Sequence, residues 1–323
     1  MKRVAVLTSG GDAPGMNAAI RAVVRTGVAH GFEVFGVRGG FTGLMSGDLS
    51  PLGPRDVGGI IGRGGTILGT TRCRQLKTDA GQAAAIEQMR AHDLSGLIVI
   101  GGNGSQQGAH ALSLRGAAVV GVGSTIDNDL VGADVTIGAT SALDVALEAI
   151  DRLRVTAASH KRVFLVEVMG HGSGHLALHA GIAGGAEAIV IPEVEIHPEA
   201  LAEEILDSYA RGKSHAIVVV AEGAKYNAAG LEHYFNEHAQ RLGFELRATT
   251  LGHIQRGGTP GVFDRILASR LGSAAVEYFA MDHVGVLLGM VEGKITATAL
   301  STVASAKKPL DMHLPELARI LAK

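Results

Sequence analysis

The chain has 323 residues, 46% of them hydrophobic, with 46 glycines, no tryptophan and a formal net charge of −2. This length suits one large or two ordinary α/β domains with an aliphatic core, and the near-neutral charge argues against nucleic acid as the main partner. The single cysteine, Cys73, excludes an internal disulfide, and the opening residues carry neither a signal-peptide pattern nor an apolar run able to span a membrane. A soluble, cytoplasmic protein is expected.

The first predicted strand, 3–8, holds Val4-Ala5-Val6-Leu7 and runs into Thr8-Ser9-Gly10-Gly11-Asp12-Ala13-Pro14-Gly15. That turn is too tight for side chains, and Pro14 opens a helix predicted over 14–29. Backbone N–H groups at such a junction suit phosphate, although alone the segment reads equally as a turn capped by Asp12. A strand at 33–37 and a helix at 80–92 follow. The strand at 97–100 then leads into Gly101-Gly102-Asn103-Gly104-Ser105 and a helix at 106–114. A third strand-turn junction, after the strand at 118–123, reads Ser124-Thr125-Ile126-Asp127-Asn128-Asp129 and ends in carboxylates instead of glycines. Helix 139–158 places Leu143, Leu147, Ile150 and Leu153 on one face and is long enough to join two lobes. Strands at 162–168, 188–191, 215–221 and 284–290 alternate with helices at 174–183, 198–210, 229–241 and 264–279. This alternation predicts βαβ units around mostly parallel sheets. Ligands of such sheets bind beyond the carboxyl ends of the strands, where every glycine turn falls.

Two phosphate cradles and one acidic turn point to phosphoryl transfer, with Asp127 and Asp129 as base and metal-water acceptor. The P-loop pattern G-x-x-x-x-G-K-[ST] is absent. The glycines at 102–108, with Asp127 downstream, also suggest a nicotinamide-dependent dehydrogenase, but that reading leaves the second cradle and the arginines without a role. Arg21 and Arg25 lie four apart on the first helix, and Arg154, Arg211, Lys213 and His215 add cations near later element ends; singly, these read as solvated faces. Gly252-His253-Ile254-Gln255-Arg256-Gly257-Gly258 reads as a further anion clamp. His171, His175 and His179 are spaced by four, but Gly170, Gly172 and Gly174 interrupt the helix, which argues against zinc. Cys73 lacks the His-Asn partners of a thiol nucleophile.

In order along the chain, TSGGDAPGMNAAIRAVVR, RGGTILGT, GGNGS, STIDNDL, EAIDRLR, VEVMG, AGGAE, AEG, LGHIQRGG and DRILASR resemble the bacterial ATP-dependent 6-phosphofructokinase family over nearly the whole length. The resemblance implies two Rossmann-like three-layer αβα lobes with mostly parallel sheets and a cleft between them. Residues 1–138 with 251–303 would form a larger nucleotide-binding lobe, and 139–250 with 304–323 a smaller sugar-phosphate lobe. It implies transfer of the ATP γ-phosphoryl group, with Mg²⁺, to the 1-hydroxyl of fructose 6-phosphate. Asp127 would be the base, with Thr125 and Asp129 beside it. Gly11, Arg72, Cys73, Gly102, Asn103, Gly104 and Ser105 would line the nucleotide site. Met169, Glu222, His253 and Arg256 would hold the sugar phosphate together with Thr125, Asp127 and His171. Arg162 and Arg247 would reach in from a neighbouring subunit of a homotetramer. Arg21, Arg25, Arg55, Arg154, Gly185, Glu187, Arg211, Lys213 and His215 match an effector pocket for ADP or phosphoenolpyruvate.

Three positions depart from the family pattern. Asn103 stands for the Asp that holds Mg²⁺, giving an amide oxygen without charge. His171 stands for an Arg that stabilises the transferring phosphoryl group, and Ser124 for a Gly. Losing one preorganised charge typically costs ~10²–10³ in rate, so reduced turnover is expected. The alternative is a weakly catalytic regulatory paralogue that binds the same ligands. Pyrophosphate-using relatives carry Asp and Lys where this chain has Gly104 and Ser124, which argues against that donor.

Overall fold

The computed structural model describes residues 1–160, 162–244 and 246–323. They form two compact units, Met1–Ser141 with Arg256–Lys308 and Ala142–Gln255 with Pro309–Lys323. In chain order the first unit contains β1 (Arg3–Ser9), α1 (Met16–Ala29), β2 (Glu33–Val37), α2 (Phe41–Ser46), β3 (Leu49–Pro51), α3 (Asp79–Ala91), β4 (Gly96–Gly101), α4 (Asn103–Leu114) and β5 (Val119–Gly123). The chain passes into the second unit within α5 (Ala139–His160). There it forms β6 (Val163–Val168), α6 (His175–Ala183), β7 (Ala188–Val190), α7 (Pro198–Ala210), β8 (Ala216–Ala221), α8 (Ala228–Glu237), α9 (Ala239–Leu242) and β9 (Leu246–Thr250). It returns to the first unit through α10 (Val262–Ala280), β10 (Val286–Val291), β11 (Lys294–Ala299) and α11 (Leu300–Ser305), and α12 (His313–Leu321) closes the second.

The first sheet has the order β11-β10-β5-β4-β1-β2-β3, parallel except at its edges, where β3 and β11 pair antiparallel. The second, β7-β8-β6-β9, is parallel throughout. Every residue of β4, β5 and β8 is buried, as expected for parallel strands covered by helices on both faces. One face of the first sheet presents Ala5, Leu7, Leu97 and Val99 to Phe41, Met89, Ala109 and Leu112. The alternate residues Val4, Val6, Ile98 and Ile100 are equally buried on the opposite side, because side chains alternate along a strand. In the second unit Val163, Leu165, Val218 and Val220 pack with Leu201 and Ile205 of α7 and Leu231 and Phe235 of α8. The mostly parallel α/β architecture agrees with the sequence reading.

The differences have local causes. The first helix starts at Met16 because Gly15 takes a left-handed φ of 108°, which a side chain would resist. The predicted helix 229–241 divides at His238, whose φ of −104° and ψ of 10° break the helical run between α8 and α9. β9 was not predicted, since Leu246-Arg247-Ala248-Thr249-Thr250 carries one large aliphatic residue; its strand character comes from pairing with β6. β11 is mostly exposed and forms as the return arm of a hairpin, whose turn residues Glu292 and Gly293 take φ of 49° and 74°, the signs a two-residue hairpin turn demands. The short α2, β3 and α11 and the terminal α12 also lie outside the predicted elements.

Candidate functional site

The register sets Ser9 of β1, Gly101 of β4 and Gly123 of β5 in one row across the first sheet. The glycine turns and the acidic turn therefore leave the sheet at one level and on one edge. They open onto a cavity of about 720 Å³ within the first unit. Gly11, Arg72, Cys73, Gly102, Asn103, Gly104 and Ser105 all line it. Thr125, Asp127, Asp129, Arg256 and Ser124 line it as well.

Each turn is tied to the next. Ser105 Oγ donates to the Ser9 carbonyl at 2.8 Å, and Thr70 Oγ1 donates to the Gly10 carbonyl at 2.8 Å. Arg256 Nη1 donates to the Asp12 carbonyl at 2.9 Å and lies so close to Gly11 that a Cβ there would sit 2.4 Å from it. A side chain at Gly11 would therefore have to displace the end of Arg256. α4 begins at Asn103, earlier than its sequence suggests; the Ser105 and Gln106 N–H groups donate to the Gly102 carbonyl at 2.9 and 3.0 Å, and Asn103 and Gly104, at the helix's amino end, line the cavity, where a helix start suits an anion.

The acidic turn is held by its own side chains. The Asp127 N–H donates to Thr125 Oγ1 at 3.2 Å, and Thr136 Oγ1 donates to the Thr125 carbonyl at 2.6 Å. Asn128, at a φ of 49°, donates from Nδ2 to the Asp134 carbonyl at 3.1 Å and accepts from the Thr136 N–H at 3.0 Å. The buried Ser124 hydroxyl donates to the Ile137 carbonyl at 3.2 Å. Asn103 Nδ2 donates to the Asp129 carbonyl at 3.2 Å, which fixes the amide's donor end on the turn and leaves Oδ1 as the acceptor.

Among the described residues, no group of three or more His, Cys, Asp and Glu side chains is placed to hold a metal ion. Two carboxylates and an amide oxygen on one cavity wall nevertheless fit Mg²⁺, which takes one or two carboxylates and completes its shell with water and substrate phosphate. The His175 and His179 rings are tilted by 40° with centroids 3.9 Å apart, and His179 Nδ1 contacts the His175 carbonyl at 2.9 Å. His171 is exposed and precedes α6, so the three histidines do not share a helical face.

In the second unit, Met169 follows β6, Glu222 follows β8 and His253 follows β9, all at the carboxyl end of the sheet. Arg162 precedes β6, and Arg247 pairs with Phe164 near the start of the same strand. These two arginines stand at the opposite end, about 20 Å away at 3.3 Å per strand residue. Within one chain they do not join Met169, Glu222 and His253. Of the effector candidates, Arg154 Nη2 donates to the Gly185 carbonyl at 2.8 Å. Lys213 Nζ pairs with the buried Glu187 at 3.1 Å, and Glu187 Oε2 also accepts the Ile217 N–H at 2.7 Å. Burial, then the nearby Glu187, push the Tyr209 hydroxyl above its ordinary pKa. Arg211 lines a second cavity of about 450 Å³ under α12, and His215 Nδ1 lies 3.4 Å from Ser214 Oγ. Arg21 and Arg25 on α1, and the exposed Arg55, belong to the first unit.

Sequence reasoning missed three supporting residues. The fully buried Asp264 accepts from the Gly138 N–H at 2.8 Å, the Ser141 N–H at 2.8 Å and Ser141 Oγ at 2.6 Å, capping the start of α5. Gln255 Oε1 accepts the Met169 N–H at 2.8 Å. Both lie inside quoted motifs, where an isolated acid or amide gives no sign of what it caps. Lys308 lies in none of them.

The phosphofructokinase family profile matches residues 3–279. An ATP-dependent 6-phosphofructokinase 1 of Thermus thermophilus is 53% identical over 324 residues, covering all of both chains. An ATP-dependent 6-phosphofructokinase of Listeria monocytogenes is 46% identical over 326 residues, again with full coverage of both. The Pichia pastoris phosphofructokinase in the T-state superposes with a TM-score of 0.88 at 38% identity, covering 94% of this chain; this chain spans 35% of that one. A pyrophosphate-dependent phosphofructokinase of Marinobacter aquaeolei gives a TM-score of 0.88 at 25% identity, covering 97% of this chain and 86% of its own. By the profile and by full-length identity to curated relatives, this chain belongs to the phosphofructokinase family.

Proposed function

We propose that the protein is an ATP-dependent 6-phosphofructokinase of glycolysis, transferring the γ-phosphoryl group of ATP to the 1-hydroxyl of fructose 6-phosphate. The observation that carries this reading is the single cavity wall on which the amino end of α4, the glycine turn after β1 and the carboxylates Asp127 and Asp129 meet. Donor phosphates lie against the backbone N–H groups of the two turns, with Arg72 and Cys73 at the nucleotide. Asp127 accepts the hydroxyl proton, and Thr125 orients it through the turn. Asp129 and Asn103 Oδ1 would hold Mg²⁺, which when bound neutralises charge on the phosphates. Met169, His171, Glu222, His253 and Arg256 take the sugar phosphate.

The donor follows from local shape. Gly104 has no atom within 4 Å of where a Cβ would stand, so the space beyond α4's start is open to a nucleotide. Ser124 turns its hydroxyl into the protein and brings no cation. Asn103 and His171 lower turnover without abolishing it, since residues that act as a unit are strongly non-additive.

The position of Arg162 and Arg247 at the far end of their sheet supports a homotetramer in which they complete a neighbour's site. The Arg154, Gly185, Glu187 and Lys213 cluster, with Arg211 and His215, supports an effector site for ADP or phosphoenolpyruvate, to which Arg21, Arg25 and Arg55 contribute. No described helix is long and apolar enough to cross a membrane, and we place the protein in the cytoplasm. Phosphorus NMR of the protein with fructose 6-phosphate, Mg²⁺ and either ATP or pyrophosphate tests the reading. Fructose 1,6-bisphosphate is expected with ATP alone; product from pyrophosphate alone, or from neither donor, contradicts it.

A further inference from the structure

We infer that Lys308 is a positioning residue for the acidic turn, gripping both shoulders of the loop that carries Asp127 and Asp129. The inference rests on reading that turn as the phosphoryl-acceptor site. Lys308 lies beyond the profile match, which ends at residue 279, and it closes the first unit.

Lys308 reaches the loop at two places. Its backbone N–H donates to the Asp129 carbonyl at 3.3 Å, the same oxygen that takes Asn103 Nδ2 at 3.2 Å. Its ammonium donates to the Ala133 carbonyl at 2.8 Å and the Asp134 carbonyl at 2.6 Å. One residue thus spans 129 to 134 across Gly132, which takes a φ of 89°. The loop's inner side is held by Asn128 and Thr136. Farther out, Asp134 is fixed to the hairpin of β10 and β11, donating its N–H to the Met290 carbonyl at 2.8 Å and accepting the Glu292 N–H at 2.7 Å. Between those anchors Leu130 is buried in the core, and the Asp129 carbonyl is held by the Lys308 N–H and Asn103 Nδ2.

A cation suits this place. The ammonium offers three donors where two loop carbonyls converge, and charge-assisted bonds are stronger than neutral ones. Half-burial lowers its pKa, opposed by the neighbouring Asp134 and Asp129 carboxylates. Its field also bears on Asp129 without occupying the cavity, of which it is not a wall.

The test compares Lys308→Met and Lys308→Arg with the unaltered protein, by steady-state kinetics and by hydrogen exchange. For Lys308→Met, kcat should fall roughly 10–100-fold while KM for ATP and for fructose 6-phosphate stays within about twofold, since misplacement by an ångström costs on that order. Lys308→Arg should recover most of the loss. Peptides covering 125–137 should exchange faster in Lys308→Met, with β1 and β4 unchanged. An unchanged kcat, an Arg variant as slow as Met, or a loss of protection spread over the whole chain overturns the inference. Absence of turnover in the unaltered protein refutes the proposed function instead, and the exchange of 125–137 then decides the role of Lys308 alone.

Discussion

The contact between Gly11 and Arg256 gives a test in which one methyl group separates two parts of the site. In Gly11→Ala the new Cβ would stand 2.4 Å from Arg256 Nη1 and 2.9 Å from Cζ. Gly11 is not among the positive-φ glycines, so its backbone accepts alanine and the strain falls on the guanidinium. Ordinary contact begins at 3.4 Å, so Arg256 must withdraw by 1.0 Å. Its 2.9 Å bond to the Asp12 carbonyl then stretches past hydrogen-bond length. A hydrogen bond to a charged group contributes about 1.5–3 kcal/mol, equivalent to roughly 10–150-fold in an equilibrium or rate constant. Because Arg256 is proposed to grip the sugar phosphate, kcat/KM for fructose 6-phosphate should fall by that factor at saturating ATP. KM for ATP should change much less, and Tm should fall by only a few degrees, as loss of one such bond from a chain of this size implies. In an Arg256→Ala background the same substitution should add nothing further, since the two act through one contact. Unchanged sugar kinetics in Gly11→Ala, or full additivity with Arg256→Ala, would refute the reasoning.

Asn103→Asp combined with His171→Arg restores the charges that the family places there, and should raise kcat by roughly 10–1,000-fold, most clearly at limiting Mg²⁺; a double variant as slow as its parent shows that these residues do not set the rate. Glu199, in the first turn of α7, accepts from both Arg241 guanidinium nitrogens at 2.6 and 2.8 Å and from the Tyr234 hydroxyl. These bonds, those from Arg241 foremost, hold its carboxyl at about 2, below the ordinary 4.5. Its stabilisation is therefore present above pH 4.5 and lost as pH falls toward 2. Glu199→Gln should melt below the unaltered protein at neutral pH, with the gap closing through that window; a gap independent of pH contradicts the assignment.

Much of the first unit was legible because its chemistry sits at junctions that sequence marks strongly. Val4 to Leu7 and Leu97 to Ile100 are apolar runs cut by glycines, and strand register alone then gathers three turns at one edge. The acidic turn could be read as Thr125-Ile126-Asp127-Asn128-Asp129, but not the fact that Asn128 braces it from within. Residues acting at a distance in sequence stayed hidden. Asp264 caps α5 from more than a hundred residues away, and Lys308 meets the acidic turn only after the chain has traversed the other unit and returned. Strands such as β9 and β11 were missed because their partners, not their side chains, make them strands. The roles of Arg162 and Arg247 came from family resemblance alone; their distance from Met169 and Glu222 along the sheet could not be read from local pattern.

The central claim, that Asp127 serves as the base in a nucleotide-dependent transfer, is met most directly by Asp127→Asn, nearly isosteric with the native side chain. Turnover of ATP and fructose 6-phosphate should drop by roughly 10²–10⁴-fold, while calorimetric affinities for both substrates stay close to those of the unaltered protein. Undiminished production of fructose 1,6-bisphosphate by that variant would contradict the account.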